Sequence, residues 1–206
     1  MYNIFYYDIR NLNNETFKKE LELLPKIRQK EILKKSDINA QKRSLVGDML
    51  VKKYLSKIYQ ISPEKIEIRK GEHGKPYILN LPAHFSISHS GNYTVLAVSD
   101  APIGIDLEVI REFSAILAKK LFSEEELKYI SGKDSKRTKG SMQQCFYEIW
   151  TAKEAYLKFK GVGLSGGIKS LELGIKGNHL APLDNGISLE YDYSIPGAVM
   201  AIVREN

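Results

Sequence analysis

The stretch Trp150-Thr151-Ala152-Lys153-Glu154-Ala155-Tyr156-Leu157-Lys158 decides how the rest of this chain is read. Trp150, Glu154 and Lys158 recur at intervals of four, which on a helix makes them neighbours on one face. The pattern predicts a long helix at about 142–160, stopped by Gly161-Val162-Gly163. Upstream, Ile103-Gly104-Ile105-Asp106-Leu107-Glu108 reads as a strand. Side chains alternate along a strand, so Asp106 and Glu108 share one face and the apolar residues the other. Two carboxylates from that strand and Glu154 from the helix would make an oxygen-rich site suited to Mg²⁺. Each pattern also has a plainer reading. Glu154 and Lys158 could be an exposed ion pair worth about 0.2–0.5 kcal/mol, and Asp106 and Glu108 solvated carboxylates on an edge strand.

A similar order of elements precedes this region. An aromatic-rich strand at 2–8 leads into a charged helical stretch around 15–35, punctuated by Pro25. Asp37 then caps a long helix to about 59, with Leu45, Met49, Leu50, Tyr54, Leu55 and Ile58 at helical spacing. Gly71 to Pro76 is a turn, and strands are predicted at 84–88, 93–99 and 103–110. The second part replays the first, with helices near 114–130, the helix at 142–160, and strands near 170–175, 187–193 and 198–203. The predicted class is α+β: two similar α/β halves, 1–100 and 101–206, each a small, mainly antiparallel sheet packed with a long helix. The polar, basic segment 131–141 reads as a mobile surface loop.

Composition narrows the classes. With 206 residues, 43% hydrophobic and 27% charged, the chain can bury a sizeable core and is not of disordered type. One cysteine, Cys145, excludes a disulfide scaffold. The first residues lack the basic start and apolar core of a signal peptide, and no segment is apolar for long enough to span a bilayer. A soluble cytoplasmic protein is expected. The net charge of +6 favours a polyanionic partner without choosing among nucleic acid, a phosphorylated cofactor and an acidic protein.

Phe85-Ser86-Ile87-Ser88-His89-Ser90-Gly91 reads as a strand ending in a small-residue turn that holds His89, whose backbone amides could cradle a phosphate. Nothing around these serines resembles a hydrolase nucleophile elbow. Gly74-Lys75-Pro76 lacks the spaced glycines of a phosphate-binding P-loop. The basic residues are not interleaved with aromatics as on a nucleic-acid platform, and the four histidines are not spaced for zinc.

Taken in order, Gly-Lys-Pro (74–76), Phe-Ser-Ile-Ser-His-Ser-Gly (85–91), Ile-Gly-Ile-Asp-Leu-Glu (103–108) and Trp-Thr-Ala-Lys-Glu-Ala-Tyr-Leu-Lys (150–158) resemble the 4′-phosphopantetheinyl transferases. The closer likeness is to the Sfp-type, surfactin-synthetase-activating class. It runs from about residue 24 to 165 and includes Arg43-Ser44-Leu45-Val46-Gly47-Asp48 and Gly161-Val162-Gly163-Leu164-Ser165. Thr151 stands where Ser is the commoner choice. The resemblance implies a single-chain pseudo-dimer, with the active site between the halves. It implies transfer of phosphopantetheine from coenzyme A to a serine of apo acyl or peptidyl carrier proteins, with release of adenosine 3′,5′-bisphosphate. By the same likeness, Asp106, Glu108 and Glu154 would bind Mg²⁺, or Mn²⁺ in its place. Glu154 would orient or deprotonate the incoming serine, and Lys158 would meet the diphosphate, with Lys153 in support. Coenzyme A would be held by Arg28 and Lys30, Arg43 and Ser44, Lys75 and Pro76, Ser88 and His89, together with Asp106 and Lys158. Residues 111–141, with Phe113, Ile116, Leu117 and Leu121, correspond to the carrier-docking region. A monomer is implied, with neither nucleic acid nor membrane as partner.

Overall fold

In the strand β6 (Ile103–Val109), Ile103, Ile105 and Leu107 are fully buried on one face, while Gly104, Asp106 and Glu108 turn to the other. That second face is covered by the long helix α6 (Met142–Lys160). Gly104 is what lets the helix lie so close. A Cβ there would stand 2.0 Å from the Ala155 carbonyl oxygen and 2.5 Å from the Phe159 amide nitrogen.

The computed structural model describes residues 1–132, 142–163, 167–176, 179–182 and 184–206. Its first half runs β1 (Tyr2–Asp8), α1 (Asn14–Glu22), α2 (Lys26–Leu33), α3 (Ile38–Tyr59), β2 (Ile68–Lys70), β3 (Pro76–Ile78), β4 (His84–Ser90) and β5 (Tyr93–Ser99). The second runs β6, α4 (Ala115–Leu121), α5 (Glu124–Ser131), α6, β7 (Leu173–Lys176), β8 (His179–Pro182), β9 (Ile187–Asp192) and β10 (Ala198–Glu205). Strand order is β1-β5-β4 in one sheet and β6-β10-β9 in the other, all antiparallel. In each half the first strand pairs with the last, and the last with the one before it. Each half also carries a two-stranded hairpin, β2-β3 or β7-β8. The chain is thus two similar α/β halves.

Alternation gives each central strand two jobs. On β5, Leu96 and Val98 pack under α3, with Leu45, Leu50 and Leu55, while Val95 and Ala97 face the other half. On β10, Ala201 and Val203 meet Ala155 and Tyr156 of α6, and Met200 and Ile202 face back across. The halves therefore share a dry apolar layer, with Ile103, Ile105 and Leu107 at its centre. Burial of such continuous apolar faces is the main stabilising term between them.

The long helices begin and end where expected. Asp37 accepts hydrogen bonds from the Asn39 and Ala40 amides as N-cap of α3, and Gln60 closes that helix in the left-handed region. Gly161, with φ +74°, ends α6. Three details differ from expectation. The hairpins contain β2, β3 and β8, which the sequence reading left out because each is only three or four residues long. Ile58 lies on the exposed side of α3. The expected loop at 131–141 begins later, since Ser131 ends α5 and Gly132 is its C-cap, while 133–141 fall outside the described residues. Among the described residues no helix is long and apolar enough to cross a membrane.

Candidate active site

Because Gly104 admits α6, the Glu154 and Lys158 side chains descend onto the carboxylate face of β6. Lys158 Nζ donates to Asp106 Oδ1 at 2.7 Å, and Ser88 Oγ donates to the same oxygen at 2.6 Å. Asp106 is buried, and its other oxygen, Oδ2, has no hydrogen-bond partner. Glu154 Oε1 is buried without a partner as well. Two orphaned carboxylate oxygens are costly in a low-dielectric setting. The strain shows in titration. Burial, then the nearby Asp106 charge, push the Glu154 carboxyl up to about 7. Burial raises Glu108 too, against a hydrogen bond from Ser90.

The seam between the two sheets runs along one edge of this site. Strands β4 and β6 belong to different sheets, yet lie side by side and are joined through serine hydroxyls. Ser86 Oγ accepts from the Ile105 amide, Ser88 holds Asp106, and Ser90 Oγ accepts from the Val109 amide and donates to Glu108 Oε2. Away from this seam, Tyr2 of β1 donates to Glu190 of β9, itself paired with Arg204.

From the carboxylates a cleft of about 1170 Å³ extends over the first half, between α2, α3, the β2-β3 hairpin and β4. Its walls carry both signs of charge, with Arg28, Arg43, Lys52, Arg69, Lys70 and Lys158 among carboxylates that include Glu31, Asp48, Asp106 and Glu108. Arg43 donates to the Gly91 carbonyl at 2.8 Å and lies 3.5 Å from Asp37. Lys75 Nζ reaches the Ile103 carbonyl at 3.3 Å, and burial plus the Lys158 charge depress its pKa. His89 is open to solvent but set into the cleft wall. Desolvation there, followed by the charges of Lys158, Arg43 and Lys35, holds its imidazole below the ordinary value. Arg43, Lys75, His89 and Lys158 thus form a locally cationic stretch of the wall, next to the β6 carboxylates.

The structure gathers most of the residues predicted for the site. Arg28, Arg43, Ser44, Pro76, Ser88, His89, Asp106, Glu108 and Lys158 line the cleft, with Lys75 and Glu154 at its edge. Lys30 is exposed on α2 and does not line it. Arg28 is largely committed to protein partners, with Nε 2.7 Å from Asp48 and Nη1 2.8 Å from Glu31, and it also donates to Ser44. His89 does not sit in a turn. Strand β4 continues to Ser90, and His89 is paired in register with Thr94, so the turn is confined to Gly91 and Asn92. The plainer readings of the carboxylates also give way, since Asp106 is buried and Glu154 and Lys158 face inward. Trp150 belongs to an aromatic layer with Phe146. Lys153 is fully buried, 2.8 Å from the equally buried Glu126. The reading of the sequence overlooked Glu31 and Lys70, a pair 2.6 Å apart on the cleft wall. Only the return of the hairpin over α2 brings them together, and no local pattern signals it.

Two family models match consecutive parts of the chain. One, described as 4′-phosphopantetheinyl transferase, N-terminal, matches residues 11–101. The other, the 4′-phosphopantetheinyl transferase superfamily, matches residues 102–191 and so takes in both β6 and α6. The chain belongs to the 4′-phosphopantetheinyl transferase superfamily. Among its curated relatives, 4′-phosphopantetheinyl transferase gsp of Aneurinibacillus migulanus is 37% identical over 139 residues, 68% of this chain and 56% of that one. The 4′-phosphopantetheinyl transferase Sfp of Bacillus subtilis (strain 168) is 41% identical over 124 residues, 60% of this chain and 54% of its own. A more distant relative, the L-aminoadipate-semialdehyde dehydrogenase-phosphopantetheinyl transferase of Candida glabrata, is 27% identical over 177 residues, covering 82% of this chain and 66% of that one. The chain spans about half the length of the first two.

Proposed function

We propose that this member of the superfamily transfers the 4′-phosphopantetheine group of coenzyme A to a serine of an apo acyl or peptidyl carrier protein, releasing adenosine 3′,5′-bisphosphate. The observation that carries the reading is the pair of partnerless buried oxygens, Asp106 Oδ2 and Glu154 Oε1, beside Lys158 at the mouth of the cleft. Hard oxygen donors of this kind fit Mg²⁺, or Mn²⁺ in its place, with Glu108 as third carboxylate. Among the described residues no three such side chains already stand as a metal cluster, and Lys158 is hydrogen-bonded to Asp106. When bound, the cation supplies charge neutralisation at the coenzyme A diphosphate.

The chain's own groups account for the rest. In the transfer, the serine oxygen bonds to the phosphorus that carries pantetheine, and the bond from that phosphorus to the bisphosphate oxygen breaks. The serine proton passes to Glu154, directly or through a water, and a carboxyl titrating near 7 is suited to take it. Lys158 stabilises the charge that develops on the departing bisphosphate. The nucleotide lies along residues 1–100, where Arg43, Ser44, Ser88 and His89 meet phosphate groups, His89 the 3′-phosphate, and Lys75 and Pro76 flank the adenine. Arg28 and Lys30 add positive charge from α2. Residues 101–206 provide the carboxylates and the catalytic helix. The carrier docks at 111–141, where Ile116 and Leu117 are exposed beside Phe113. The protein acts as a monomer in the cytoplasm, and neither nucleic acid nor membrane takes part.

The decisive experiment is the intact mass of an apo carrier protein after incubation with this protein, coenzyme A and Mg²⁺. A gain of one phosphopantetheine, lost with EDTA, supports the reading. No gain on several unrelated carriers, together with no affinity for coenzyme A, would overturn it.

A further inference from the structure

Ser90 is not among the residues assigned a role above, and its hydroxyl is the most constrained on the seam. It is buried, and its oxygen accepts the Val109 amide hydrogen at 3.1 Å. An amide can only donate, so the single hydroxyl proton of Ser90 must be spent on another acceptor. That acceptor is Glu108 Oε2, at 2.5 Å. Ser86, four residues back on the same face of β4, makes the equivalent backbone contact, from the Ile105 amide at 3.1 Å. The seam itself therefore needs only a hydroxyl oxygen, and Ser86 provides one with no carboxylate attached. At Ser90 the same oxygen also aims a proton at a candidate metal ligand.

We propose that Ser90 is a positioning residue: its hydroxyl, oriented by the Val109 amide, holds the Glu108 carboxylate in the rotamer that presents it to a divalent cation. Charge-assisted O–H···O⁻ bonds are short and directional, and partners that orient a ligand contribute strongly to metal affinity. The inference rests on the reading of Glu108 as a cation ligand.

The test is Mn²⁺ binding by the full-length protein alone, followed by the electron paramagnetic resonance of free Mn²⁺. Variants are Ser90→Ala, Ser86→Ala and Glu108→Gln, with thermal unfolding of each. Ser90→Ala is expected to weaken Mn²⁺ binding about 10–100-fold, the usual range for loss of such a partner, while Ser86→Ala leaves it near the parent value. Equal effects in the two alanine variants would make Ser90 a mere strand stitch and overturn the proposal. Unchanged Mn²⁺ affinity in Glu108→Gln would overturn the cation reading and the proposal with it, and weakened binding there alone would overturn only the role of Ser90. Should Ser90→Ala fail to fold, the mutually isosteric pair Ser90→Thr and Ser90→Val isolates the hydroxyl without changing side-chain volume. Threonine is expected to keep the affinity and valine to lose it, and identical affinities would again refute the role.

Discussion

Lys158 Nζ sits 2.7 Å from Asp106 Oδ1, so the ammonium of α6 neutralises a carboxylate that the proposed function assigns to a metal. On the proposed reading the ammonium, at Oδ1, and a divalent ion, at Oδ2, would compete for the charge of one carboxylate. Lys158→Ala is therefore expected to bind Mn²⁺ more tightly, by roughly tenfold or about 1.4 kcal/mol, while binding coenzyme A less tightly. Titration calorimetry with each ligand alone checks this. Weaker Mn²⁺ binding in the variant would rule out the competition.

Glu154 links pH to stability in the metal-free protein. Its folded pKa of about 7 lies above the reference value of 4.5. The folded state thus holds the proton more tightly, and the associated stability is full below about 4.5 and lost as pH rises through about 7. Solvent screening of this partly exposed group holds the contribution below roughly 3 kcal/mol. Glu154→Gln should flatten the pH profile of the melting temperature between these limits, raise stability at pH 8, and abolish transfer. An unchanged profile would show that Glu154 is not desolvated as described.

Gly104→Ala places a methyl group against the backbone of α6 at Ala155 and Phe159. Backbone cannot swing aside as a side chain can, so the helix must lift. A loss of about 1–3 kcal/mol or more is expected in urea unfolding, together with loss of transfer, because Glu154 and Lys158 leave the carboxylate face with the helix. A stable variant with normal turnover would mean that this contact does not set the site.

Lys153 and Glu126 form a fully buried ion pair, with Lys153 also donating to the Ile168 carbonyl and Glu126 accepting from the Leu173 and Ser123 amides. Together they tie α5, α6 and the start of β7 behind the catalytic face. Lys153→Met leaves the carboxylate buried and unpaired, with an expected cost of about 3–5 kcal/mol. Adding Glu126→Gln should recover part of it, since glutamine removes the buried charge and its one carbonyl oxygen still accepts one of the two amide hydrogens. Additive losses in the double variant would contradict the pairing.

Much of this protein was determined by local sequence. Alternation in Ile103–Glu108 put two carboxylates opposite an apolar face, and the four-residue spacing from Trp150 to Lys158 put an acid and a base on one side of a helix. Asp37 and Gly161 marked helix ends through capping chemistry that acts within one turn. These features depend on period and on near neighbours, which a chain cannot hide. The tertiary structure decided which groups meet. Lys158 reaches Asp106 across 52 positions only because Gly104 lets the helix touch the strand, and Ser90 reaches Glu108 only because two separate sheets share a seam. Arg28 and Lys30 look equivalent in sequence, yet one lines the cleft in a web of carboxylates and the other faces water. Such outcomes follow from packing between distant elements, where burial and the partners it brings, rather than residue type, set what each charge can do.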